Sequence, residues 1–200
     1  MPPKQTITRE MIVEAAFVLV RKKGLSALSA RNIAKALNCS TQPIYSCYKT
    51  MEALEQEVIQ KAVSFVENQF FLKKSLSDNN FKQIGLGYIA LAQQEKHLFD
   101  LLYLSGRVVL DFENHIFPID KVLLLDLMRQ DPYLEPLAEE DLLELLCHMW
   151  IYTHGLTVLT RTNPSVSETF VQTALDKMGS LIIKNKLMEK GRSDYENSCD

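Results

Sequence analysis

The four cysteines, Cys39, Cys47, Cys147 and Cys199, form no C-x-x-C pair, which removes the common zinc and redox spacings. No signal-peptide pattern precedes them, so reduced thiols and a cytoplasmic location are expected. The chain has no run of about 18 uninterrupted apolar residues, the length that spans a bilayer. Its nearest approach, residues 142–159, is interrupted by Glu144, His148 and His154, and no membrane segment is expected. Neither G-x-S-x-G nor H-E-x-x-H occurs, and Ser, His and acidic residues lie scattered, so no enzymatic activity is expected. Gly85-x-Gly87 lacks the preceding strand and further glycines of a phosphate loop; close helix packing or room for a ligand fits it better. His148 and His154 stand six apart, and Cys147 has no second ligand at i+3 or i+4, so neither a metal nor another cofactor is expected.

What is present is a chain of 200 residues, 46% apolar, enough for one substantial domain or two small ones with a real core. The net charge of −3 hides an asymmetry. Residues 1–50 carry eight Lys and Arg against two Glu, a net of +6, and the remaining 150 carry fourteen against twenty-three, a net of −9. A basic head on an acidic body is the footprint of a nucleic-acid reader with a second, separate task.

The head contains the most informative stretch, residues 29–48. Ser29 is placed to cap a helix whose Ala30, Ile33, Ala34 and Leu37 make one apolar stripe, leaving Arg31, Asn32 and Lys35 outward. Asn38 tolerates the positive φ a tight turn requires, Cys39 plugs the space between helices, and Ser40 is expected to cap a second helix. That helix presents Thr41, Gln42, Pro43, Tyr45 and Ser46, with Ile44 and Tyr48 turned inward. The pattern is that of a helix-turn-helix whose second helix meets base edges.

Around this unit the spacing predicts further helices. Thr8 caps the first, with Ile7 and Ile12 as a hydrophobic staple, an inner face of Ile12, Ala15, Ala16 and Leu19, and a stop at Lys22-Lys23-Gly24. Residues 1–5 are polar with two prolines and are expected to form a flexible arm on which Lys4 can meet phosphates. Thr50 caps a helix carried by Leu54, Val58, Ala62, Phe65, Val66 and Phe70 to residue 71 or 74, a rod of roughly 30 Å that links head to body. Residues 73–80 form a polar break. Helices follow over 81–94 and 96–104, the segment 105–118 shows no single period, and 119–129 is apolar on one side before Asp131-Pro132. Glu139-Glu140-Asp141 opens a helix to about Thr160 that is apolar nearly all round. Ser165 and Glu168 form an S-x-x-E capping box for a last helix with the stripe Phe170, Val171, Ala174, Leu175, Met178, Leu181 and Ile182, stopping near Lys190-Gly191; residues 191–200 are a polar, frayed tail. These last two helices have apolar surface enough for a four-helix homodimer contact.

The head resembles the TetR family of bacterial transcriptional regulators over about sixty residues, through Ile12-x-x-Ala15-Ala16, Lys23-Gly24-Leu25, Ser29-x-Arg31-x-Ile33-Ala34, Leu37-Asn38-Cys39-Ser40, Ile44-Tyr45-x-x-Tyr48 and Met51-Glu52-Ala53-Leu54. Trp150-x-x-x-His154-Gly155-Leu156 is similar to a Trp-His-Gly signature of one C-terminal subclass. Asn38, Cys39 and Cys47 depart from the usual glycine, aliphatic and aromatic or His residues. The resemblance implies an all-α fold of about nine helices: a three-helix DNA-binding head over residues 6–50 (motif about 29–48) and a ligand-binding and dimerisation domain over 51–190. It implies a cytoplasmic homodimer that binds a palindromic double-stranded DNA operator as a repressor and is released by a small-molecule effector. By that resemblance Arg31, Thr41, Gln42, Pro43 and Ser46 face bases, and Ser29, Tyr45 and Lys49 face phosphates. For the effector, Phe65, Phe70, Tyr88, His97, Phe99, Tyr103, Met149, Trp150, Tyr152 and His154 offer aromatic walls with polar handles, suited to an apolar or amphipathic molecule. The competing expectation is a helical small-molecule-binding or adaptor protein whose head docks a protein instead of DNA.

Overall fold

A computed structural model describes residues 6–72, 80–163 and 165–197. The Lys4 arm, the break at 73–79, Pro164 and the end of the tail with Cys199 lie outside the described residues. The fold is all-α, with nine α-helices and no strand among the described residues: α1 (Arg9–Lys23), α2 (Ala30–Ala36), α3 (Gln42–Cys47), α4 (Met51–Val66), α5 (Asn80–Gln94), α6 (Lys96–Phe99), α7 (Lys121–Arg129), α8 (Glu139–Thr162) and α9 (Glu168–Asn197).

Local signals set most helix starts. The hydroxyls of Thr8, Ser29 and Thr50 accept the backbone N–H groups of Met11 (3.3 Å), Asn32 (3.2 Å) and Ala53 (3.2 Å). Each satisfies a donor that the first turn leaves without an intrahelical partner. Asn38 takes φ 51°, as the turn requires. Gly24 also has positive φ, at 82°, but an extended ψ of 173°, and its N–H donates to the Val20 carbonyl.

Three expectations at helix ends are corrected. Ser40 does not cap α3: Thr41 is already in helical geometry, its carbonyl accepts the Ile44 and Tyr45 N–H groups, and no side chain caps the end. Pro43, which has no N–H, removes one of the donors a cap would serve. The Ser165–Glu168 box does not form, because a turn from Asn163 to Val166 delays the helix; Ser167 Oγ accepts from Phe170 N–H instead, at 3.1 Å. Gly191 does not stop α9, which continues to Asn197. The α9 stripe is also narrower than expected. Val171, Ala174 and Leu175 are buried, whereas Phe170 and Leu181 are exposed.

The buried apolar side chains form one cluster that runs from Ile12, Phe17 and Ile33 through Leu54, Val58 and Val66 to Leu98, Leu125 and Leu146. Head and body therefore share a continuous core across residue 50, with α4 belonging to both. A smaller cluster joins Ile89, Leu156, Val171, Ala174 and Leu175. Two widened π-type turns interrupt the regular pitch, Glu67–Phe71 after α4 and Asp100–Leu104 after α6. Helix α5 is central, packed on the first of these turns and on α6, α7, α8 and α9. Among the described residues α8 alone is long and apolar enough to cross a membrane by length and composition; here it packs against α5 and α9.

Gly87 is where α5 comes closest to needing a glycine, since a Cβ there would collide with the Phe70 carbonyl oxygen, whereas one on Gly85 would make ordinary contacts. Gly87→Ala is expected to cost about 3 kcal/mol in urea unfolding through backbone overpacking, and Thr50→Ala about 1 kcal/mol through loss of a cap. A Gly87→Ala protein as stable as the native chain would contradict the packing account.

Candidate functional site

Two regions gather the residues singled out in the sequence. The first is the outer face of α2 and α3. Ile33, Ile44 and Tyr48 are buried, which fixes the two helices against α1 and aims the remaining side chains outward. Arg31, Thr41, Gln42, Tyr45, Ser46 and Lys49 are all exposed, and Pro43 is half-buried. Tyr45 is 57% exposed, with its ring and hydroxyl both open to a partner. Two hydroxyls are less free than the sequence suggests. Ser29 Oγ is occupied by the α2 cap, and Ser46 Oγ donates to the Gln42 carbonyl at 2.9 Å. Cys47 is half-buried against the core.

This face is held by a cluster at its back. The Tyr48 hydroxyl donates to Glu57 Oε2 at 2.7 Å, Arg9 bonds the same carboxylate, and the Arg9 guanidinium lies 4.6 Å from the Tyr48 ring centre. The hydrogen bond from Arg9, then that from Tyr48, holds the Glu57 carboxyl below its ordinary range. Burial pushes the Tyr48 phenol up to about 12, so it stays a donor. A second arginine of α1, Arg21, bonds Glu95 at the start of α6 and lies over the Phe65 ring at 4.4 Å. The His97 ring packs on Gly24, where a Cβ would stand 3.2 Å from Nδ1. Head and body thus meet through α1, α4 and α6.

The second region is a cavity of about 550 Å³ between α5, α8 and α9. Of the ten aromatic and polar candidates, Tyr88, Met149 and Trp150 line it. The other seven lie elsewhere. Phe65 packs at a tilt against Phe17 and under Arg21 at the head, Phe70 supplies the carbonyl over Gly87, and His97 sits against Gly24. Phe99, Tyr103 and His154 surround the Tyr88 ring, and His154 also stacks on Trp150 with centroids 4.9 Å apart. Tyr152 belongs to a shallower hollow on the outside of α8 and α9, with Phe170, Lys177 and Leu181. Gly85, one of the two glycines expected to serve close packing or room for a ligand, lines the cavity, whereas the sequence reading missed Thr153 and the α9 wall of Leu175, Gly179, Ile183 and Leu187. The four-residue spacing of that wall was the available signal.

Burial raises the Tyr88 phenol and lowers the His154 imidazole, so both are neutral where the Tyr88 hydroxyl and His154 Nδ1 share a hydrogen bond of 2.8 Å whose direction the imidazole tautomer sets. A histidine whose folded value is depressed binds its proton more weakly than in the unfolded chain, so stability is lost as pH falls below the ordinary value of about 6.5. In thermal unfolding across pH 5–8, roughly the window in which histidine titrates, the native protein should lose this component on acidification and His154→Phe should not. Parallel profiles for the two proteins would contradict the buried neutral imidazole. Among known proteins, no family model matches the chain, and no curated protein matches it either.

Proposed function

We propose that the protein is a DNA-binding transcriptional regulator of the TetR kind, a homodimeric repressor that a small molecule releases from a palindromic operator. The observation that carries this reading is the α2–α3 pair. Its Asn38 turn, its buried Ile33 and Ile44, and its exposed Arg31, Thr41, Gln42, Tyr45, Ser46 and Lys49 make a helix-turn-helix face on the basic end of the chain. Gln42 and Thr41 stand at the start of α3, where a recognition helix meets base edges, and Lys49 follows it, placed for a phosphate.

Release follows from coupling. A ligand that binds better to one arrangement of α5, α8 and α9 shifts the head by the difference in its affinities for the two arrangements. The route is α4, which begins at the head and ends in the π turn against α5, and α6, which meets Arg21 and Gly24. Dimerisation is supported by the outer surface of the last two helices, which leave Ile151, Leu159, Phe170, Leu181 and Met188 exposed. Such apolar surface favours a second copy. No catalysis and no cofactor enter this reading.

Duplex binding tests it. Affinity should fall by roughly a thousandfold between about 50 and 200 mM salt, while a preference for a palindrome selected from random duplexes persists. Absence of duplex binding at low salt would sink the proposal and favour a protein-docking head. Lys49→Ala should weaken all sequences alike, whereas Gln42→Ala should cost about 1–3 kcal/mol at particular base pairs; equal losses on operator and random DNA for both variants would remove these roles. Leu181→Glu should yield a folded monomer by light scattering, and an unchanged dimer would move the interface elsewhere.

A further inference from the structure

The chamber between α5, α8 and α9 has apolar walls, among them Ile84, Tyr88, Met149, Trp150 and Ile183, and few polar groups. Most of these are already committed. Lys82 Nζ meets Asp176 Oδ1 at 2.7 Å, joining α5 to α9. The buried Asp131 accepts the Tyr133 N–H and closes the turn before α8, and the Tyr88 hydroxyl serves His154. Lys184 stands exposed at the rim.

Thr153 differs. It is 3% exposed and lies on the chamber wall, and among the described residues its hydroxyl meets no hydrogen-bond partner; the Thr157 hydroxyl instead donates to its carbonyl. A Cβ built on Gly85 would stand 3.6 Å from Thr153 Oγ1 and 3.6 Å from both methyls of Leu175. The missing side chain of Gly85 therefore leaves a recess directly before the hydroxyl. No buried side-chain polar atom among the described residues is left without a partner, so this unpaired oxygen is open to the chamber, and a ligand group that reaches it gains a hydrogen bond without displacing an internal one.

We infer that Thr153 is the polar anchor of this chamber, and that its ligand is an uncharged, largely aromatic molecule whose single hydroxyl or carbonyl group enters the Gly85 recess. This rests on the reading of the chamber as the effector site, and not on DNA binding. A charged ligand is disfavoured because Lys82 and Asp176 neutralise each other, Lys184 stays in water at the rim and Asp131 is taken by the Tyr133 N–H, so an ion entering the apolar chamber would lose its water for little return.

The test titrates the full chain with three probes of one shape: 4-phenylphenol, 4-methylbiphenyl and biphenyl-4-carboxylate. Calorimetry gives the affinities, and quenching of Trp150, the single tryptophan and a wall residue, reports entry into the chamber. The phenol should bind about tenfold more tightly than its methyl isostere, the worth of one added hydrogen bond, and the carboxylate most weakly. Thr153→Val should erase that advantage, Thr153→Ser should keep it, and Gly85→Val should weaken all three probes. Equal affinity for phenol and methyl isostere, or tightest binding of the carboxylate, overturns the inference. That comparison uses the native chain, so it decides even where a variant does not fold. Binding of no probe overturns both the inference and the chamber reading, whereas binding without preference overturns the inference alone.

Discussion

The backbone of α5 lies against the widened last turn of α4, with Gly87 beneath the Phe70 carbonyl, and the rest of the body is arranged around that contact. Only glycine lets the two backbones come so close. With α5 fixed there, its remaining faces are committed to α6, α7, α8 and α9, and the cavity is the space left where α5, α8 and α9 diverge. The π turn matters for the same reason. By widening the helix it shifts the register of Phe70 and Phe71, bringing one carbonyl toward α5 and burying one ring.

The junction between head and body is of a different kind. Its apolar part is continuous core, through Phe17, Leu54, Val58 and Leu98, and resists separation. Its polar part is two arginines of α1 on carboxylates of α4 and α6, each also over an aromatic ring. Exposed pairs of this sort contribute little stability but do fix orientation. A core that holds with polar contacts that orient is compatible with the proposed coupling between chamber and head.

Much of the local structure was legible because its causes are local. Thr8, Ser29 and Thr50 cap the helices expected of them, and Asn38 takes the positive φ expected of it. The misplaced caps at Ser40 and Ser165 were local signals overridden by neighbours, a proline that removed a donor and a turn that occupied the preceding residues. The ligand candidates fared less well. Helix α8 is apolar nearly all round, so its periodicity does not mark which face meets the chamber. Tyr152 and Trp150, two residues apart, end on different sides.

The sequence by itself determined the all-α class, the positions of most helices and the outward set on α2 and α3, because capping, turn chemistry and a one-sided stripe act within a few residues. Only the tertiary structure decided that Gly87 is a contact and Gly85 a space, two glycines that look alike in the chain. It also decided that Thr153 and the α9 line from Leu175 to Leu187 wall the chamber, while Phe65, Phe70 and His97 serve the packing around α4 and the head. These outcomes depend on which distant helix arrives opposite each residue, and spacing along one helix carries no record of its neighbours.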